Sequence, residues 1–171
     1  MNWDECKKKR IVKEISPRKE QVESLLRSSK KKFISYNQLN INDNTASSKV
    51  GLLYDSLRII LEALAIENGF KIYNHDCIAC FLKEICNEKI FSEVFDKYRI
   101  VRNGFNYYGE DIHLSPDCVR FFGKDVLEIS ELKSNLIIWN LYISIEDAKA
   151  MIEELNNLRL QILDKYFEGV K

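Results

Sequence analysis

The chain has 171 residues, 46% of them hydrophobic and 30% charged, and its Lys plus Arg total equals its Asp plus Glu total at 26 each. Zero net charge excludes a whole-molecule field drawing the protein to nucleic acid or to an anionic membrane, so any nucleic-acid contact has to be a local patch. The length suits one domain spanning 1-171, able to bury about two-thirds of the surface its unfolded form exposes, and six Gly and two Pro favour an all-α class over strands and turns.

Five Cys (Cys6, Cys77, Cys80, Cys86, Cys118) form an odd set in a mid-sized chain, which predicts reduced thiols in a cytoplasmic protein rather than a disulfide scaffold. The Met1–Arg10 segment is charged and no apolar stretch follows it. No run approaches the ~18 apolar residues of a membrane span, so neither a targeting segment nor a membrane partner is expected.

In chain order, Ser16-Pro17 predicts a helix start, Ser as cap and Pro at the first helical position, with Val22, Leu25 and Leu26 as an apolar face running to about Lys31. The polar stretch from Asn40 to Ser48 reads as a loop before the most apolar segment, Val50 to Glu67. Its Leu and Ile residues cover nearly the whole circumference, as in a helix packed on several sides, and Gly69 closes it. Among its few polar residues, Tyr54, Arg58 and Glu62 are spaced i, i+4, i+8, and Asp55 precedes Arg58 by three; such groups stay in a buried helix only with partners. An Asp55/Arg58/Glu62 ion network between helices is the first account of them, and a functional cleft the second.

Asn74-His75-Asp76 can cap a helix carrying Ile78, Phe81 and Leu82, and Asn87 separates it from another running from about Glu88 to Tyr108. On that helix Arg99, Arg102, Asn103, Asn106 and Tyr107 share one stripe, while Val94, Phe95, Tyr98, Val101 and Phe105 form the packing flank. Two like charges three residues apart cost an isolated helix roughly 0.2–0.5 kcal/mol, so a phosphate between Arg99 and Arg102 would explain their clustering. The last helix opens at Ser144 and repeats Ile145, Ala148, Ile152, Leu155, Leu158, Ile162 and Tyr166 at spacings of three and four. Between these helices, 114-142 reads as an irregular insertion; its Leu136 to Ile143 run fits a buried strand, a short helix or a protein interface.

Other patterns carry less. Cys77-Ile-Ala-Cys80 lies near His75 and Cys86 but has no second Cys pair to complete a structural zinc site, so core or boundary thiols are expected, with no metal and no cofactor. Lys7 to Arg10 and Lys30 to Lys32 read as solvated helix ends.

The set Tyr54-Asp55-Ser-Leu-Arg58-Ile-Ile-Leu-Glu62, then Asn68-Gly69-Phe70-Lys71 with His75, then Arg102-Asn103-Gly-Phe-Asn-Tyr107-Tyr108-Gly109, resembles the HEPN superfamily over residues 16 to 112 and 143 to 167. The resemblance implies an antiparallel up-and-down bundle of four to five helices that commonly forms a homodimer, with the Arg-Asn motifs of two protomers facing one cleft. Many relatives are metal-independent endoribonucleases that use an Arg followed, four to six residues later, by a His. Others partner a nucleotidyltransferase in toxin–antitoxin pairs or bind nucleotides without cutting.

Carried over, Arg102 matches the motif Arg and Asn103 the polar residue after it, while Tyr107, Tyr108 and Gly109 stand where the His should be. A Tyr with a pKa of about 10 is ionised to roughly one part in a thousand at pH 7, and loss of a tuned acid or base costs about 10²–10⁴ in rate. The leading expectation is therefore nucleotide or RNA binding through Arg99, Arg102, Asn103, Asn106, Tyr107 and Tyr108, supported by Tyr54, Asp55, Arg58, Glu62 and His75. The enzyme alternative has Arg102 act with Tyr107 or a substitute such as His75 or His113. A third reading is a protein-interaction bundle using the Leu136 to Ile143 run.

Overall fold

The computed structural model describes residues 1–107, 112–114, 141–143 and 145–168. It is an all-α helical bundle with two small two-stranded sheets, in the order α1 (Trp3–Lys8), β1 (Val12–Glu14), α2 (Lys19–Gln38), α3 (Ala46–Glu67), β2 (Phe70–Ile72), α4 (His75–Glu84), α5 (Lys89–Tyr107), β3 (Ile112–Leu114), β4 (Leu141–Ile143) and α6 (Ile145–Tyr166). Among the described residues no helix is long and apolar enough to cross a membrane.

Helix α3 is the axis, with α2, α4, α5 and α6 packed around it. Leu53, Leu57, Ile60 and Leu61 are fully buried on it, each contributing about 1.5–3 kcal/mol relative to exposure. It begins at Ala46, four residues before the apolar run, since the polar stretch ahead of it supplies a turn in which Thr45 Oγ1 accepts from Asn42 N at 3.2 Å. It ends where Gly69 takes φ +81°; a Cβ there would meet Ile15 O at 3.3 Å.

The expected helix after Ser16-Pro17 exists but starts at Lys19, with Arg18 at its N-cap and no side-chain cap, and runs seven residues past Lys31 to Gln38. Phe33 and Tyr36 carry its apolar face onward by stacking on each other, their centroids 5.3 Å apart. Asn74 does cap α4, accepting from Asp76 N at 2.9 Å, and Asn87 takes φ 57° between α4 and α5. On α5 the packing flank holds, with Phe95 and Tyr98 fully buried. Helix α6 is clamped to α5 where Glu154 accepts from Tyr98 Oη and Lys97 Nζ, each at 2.6 Å.

The expectation of reduced thiols is overturned at Cys6 and Cys77, which form a disulfide with Cα atoms 6.0 Å apart. The odd cysteine count concealed the pair because its members lie 71 residues apart in sequence and meet only after α1 docks. Cys80 is a buried free thiol whose Sγ donates to Met1 O at 3.2 Å, and Cys86 is free and half-buried. Helix α1 belongs to the core: Asn2 and Glu5 form a reciprocal capping box, and Trp3 packs edge-on to Phe70 at 5.2 Å. Behind it β1 pairs antiparallel with β2, Val12 opposite Ile72.

Strands β3 and β4 pair in parallel, Ile112 opposite Leu141, and Ile112 N donates to Ser47 Oγ at 2.8 Å. Of the Leu136 to Ile143 run, only 141–143 is described and it is strand. The rest of the expected 114-142 insertion lies outside the described residues.

Candidate functional site

Four helices bring the polar groups of α3 and α5 together. Asp55 sits at the centre, 22% exposed, with Arg58 Nε 3.7 Å from its Oδ1, Arg102 Nη2 also 3.7 Å from Oδ1, and Lys32 Nζ of α2 3.9 Å from Oδ2. Arg58 reaches forward along α3 to pair with Glu62. The expected Asp55/Arg58/Glu62 network is therefore present, and it extends to α2 and α5 through Lys32 and Arg102. At 3.7 Å the Asp55 contacts are charge contacts rather than hydrogen bonds. Asp55 Oδ1 and Arg58 Nε are both buried without a hydrogen-bond partner.

Arg102 emerges from this centre between two rings, its guanidinium carbon 5.9 Å from the Tyr54 centroid and 5.7 Å from that of Tyr107. Its Nη1 donates to Tyr107 Oη at 3.4 Å, and the Asn106 amide oxygen, oriented to satisfy both ends of the amide, accepts from Nε at 2.6 Å. Tyr107 is 69% exposed, so one end of the cluster opens to solvent, while Tyr54 is fully buried and stacks on Phe95 at 5.3 Å. Asn103 is half-buried on the same helix. Tyr108 lies outside the described residues.

Arg99 is arranged differently. It pairs with Asp76 of α4 at 2.6 Å and with Asp96 one turn back at 2.8 Å. The repulsion that a phosphate between Arg99 and Arg102 would relieve is offset by carboxylates, Asp76 and Asp96 for one and Asp55 for the other. Asp96 was readable at i−3 from Arg99, whereas Asp76 arrives only because the first turn of α4 abuts α5. Lys32 was passed over as part of a solvated run.

The same turn delivers His75. Its Nδ1 lies 3.3 Å from Tyr54 Oη, and burial together with the Arg58 and Arg102 charges pushes its imidazole down to about 4, Asp55 opposing and Arg99 adding to the effect. His75 is thus neutral near pH 7. Burial raises the Tyr54 phenol above its ordinary value, so Tyr54 is neutral as well. A neutral imidazole is thereby held within the field of the Arg58/Arg102 pair, although no motif spacing connects it to Arg102. His113 lies in β3.

Among the described residues no group of three or more His, Cys, Asp and Glu side chains could hold a metal ion. A shallow groove of about 380 Å³ runs between α5 and α6 past Phe91, Val94, Glu154 and Leu158, and none of the cluster residues lines it. Compared with protein-family models, curated proteins and solved structures, the chain matches none.

Proposed function

We propose that the protein is a HEPN-like helical bundle that binds a nucleotide or RNA phosphate at the Arg102 cluster, with the Tyr107 ring stacking on the base or orienting it. The observation that supports this reading is the pair at the centre, Asp55 Oδ1 and Arg58 Nε, in charge contact at 3.7 Å yet both buried and both without a hydrogen bond. Native structures leave few such groups. A phosphate oxygen takes the guanidinium N–H and a ribose hydroxyl donates to the carboxylate, while Arg102, held to Asp55 by charge alone and hydrogen-bonded only to Asn106 and Tyr107 of its own helix, turns toward the phosphate with them. In this reading two protomers or a nucleotidyltransferase partner complete the cleft, as the resemblance implies.

The test is a melting-temperature screen against nucleotides and short RNAs, run on the wild type and on Arg102→Ala. The expected result is a shift in the wild type only, with the two proteins melting alike without ligand. A shift retained by the variant places binding elsewhere, and a large loss of stability in the ligand-free variant makes Arg102 a brace between helices.

A second reading is favoured by the position of His75. A bound phosphate would offset the Arg58 and Arg102 charges and raise the imidazole back toward its ordinary value, where it exchanges protons at neutral pH. His75 would then replace the motif His in metal-independent RNA cleavage. RNA cut in the presence of EDTA by the wild type, but by neither Arg102→Ala nor His75→Ala, supports it; intact RNA across varied substrates rejects it.

A further inference from the structure

On α6, Arg159 is 5% exposed yet meets no carboxylate among the described residues. Its Nε donates to Ser56 Oγ at 3.0 Å and its guanidinium carbon lies 3.9 Å from the Phe33 centroid. Ser56 in turn is fixed to α2: its hydroxyl donates to Ser29 O at 3.1 Å and Ser29 Oγ donates to Ser56 O at 2.9 Å. Taking a guanidinium out of water is costly when no counter-charge accompanies it. A cation–π contact and one hydrogen bond to a neutral hydroxyl only partly offset that cost. Burial accordingly pushes the Arg159 guanidinium down to about 10, which leaves it charged at neutral pH.

The contacts it does make define what is missing. Of its five N–H groups, only the one on Nε is committed among the described residues. The other four sit on the terminal nitrogens, in the planar fork that matches two oxygens of a carboxylate or phosphate. Ser56 and Phe33 fix the plane of that fork in advance.

We infer that Arg159, mounted on Ser56 and Phe33, binds an oxyanion at the junction of α2, α3 and α6. This site is independent of the Arg102 cluster. Lys32 and Asp55 serve that cluster, whereas the next residue on each helix, Phe33 and Ser56, serves Arg159.

The experiment measures melting temperature in potassium phosphate, potassium acetate and potassium chloride at equal ionic strength, for Arg102→Ala and the double variant Arg102→Ala/Arg159→Met, a background that removes phosphate bound at the Arg102 cluster from the comparison. Phosphate is expected to raise Arg102→Ala by about 3 °C or more over chloride, the shift of a ligand at roughly ten times its dissociation constant. The double variant should show no such rise. An equal rise with acetate assigns any two-oxygen edge to the fork, and phosphate alone assigns phosphate. A rise that survives in the double variant, or is absent from Arg102→Ala, overturns the proposal. Should the double variant fail to fold, the Arg159 Nε–H resonance is followed in Arg102→Ala during phosphate titration, and an unmoved resonance overturns it equally.

Discussion

Arg102 and Asp55 face each other from α5 and α3 at 3.7 Å, and the same carboxylate is shared with Arg58 and Lys32. One anion thus holds three cations from three helices, none of them by a hydrogen bond. Asp55→Asn should lower the unfolding free energy by about 2 kcal/mol, between the ~1 of an exposed pair and the ~3–5 lost when a fully buried pair is broken. If Arg102 is the phosphate ligand, the same variant should bind phosphate more tightly, because the competing carboxylate is gone. Urea denaturation and a phosphate titration on the one variant check both.

The Cys6–Cys77 bond joins residues 71 apart, and both are fully buried. Chain-entropy arithmetic for such a loop gives about 4 kcal/mol. Cys6→Ser should therefore lose roughly 2–4 kcal/mol in guanidinium denaturation. With both bonded cysteines buried, the native disulfide should resist dithiothreitol under conditions where the unfolded chain is reduced at once, as read by mass after alkylation.

His75 gives the stability a pH dependence whose sign follows from its depressed titration. Between about 4, its folded value, and 6.5, its ordinary one, the unfolded chain holds a proton the folded chain does not. Stability contributed by neutral His75 is therefore complete above pH 6.5 and is lost as pH falls through that window. Glu88 and Glu154 are held below the ordinary carboxylate value by their Lys and Tyr partners, so their contribution is lost further down in pH. His75→Gln should flatten the melting profile between pH 4.5 and 6.5.

Tyr98→Phe removes a buried hydroxyl that donates to Glu154 at 2.6 Å, leaving that carboxylate with Lys97 alone. A hydrogen bond to a charged acceptor contributes about 1.5–3 kcal/mol. The expected loss in urea denaturation lies at the lower end of that range, since Glu154 is partly exposed and water replaces the phenol.

Where helices end was legible in this sequence wherever the signal was local. Gly69, Asn74 and Asn87 each act through their own backbone or a neighbour's, and α3, α4, α5 and α6 follow. Helix α1 was not legible: six residues form no stable helix in isolation, and this one exists because Trp3 meets Phe70 and Phe81 and Cys6 meets Cys77. The cluster divides the same way. Asp55, Arg58 and Glu62 are related by helical spacing, as are Arg99 and Arg102, so each half could be read. Their joining through Asp55, and the capture of Arg99 by Asp76, depend on packing between α3, α4 and α5 that no spacing encodes. Arg159 went unread because α6 showed only its apolar repeat, into which a buried guanidinium does not fit.

Three consecutive residues in the first turn of α4 reach three different elements: His75 to Tyr54 on α3, Asp76 to Arg99 on α5, and Cys77 to Cys6 on α1. Successive side chains on a helix point about 100° apart, so a small rotation of α4 about its axis would strain all three attachments together. The turn consequently behaves as a keystone, and opening there is concerted. Its amides should exchange with deuterium at the same rate as those of α1, in a single protected block, and cutting the covalent attachment with Cys6→Ser should split that block in two.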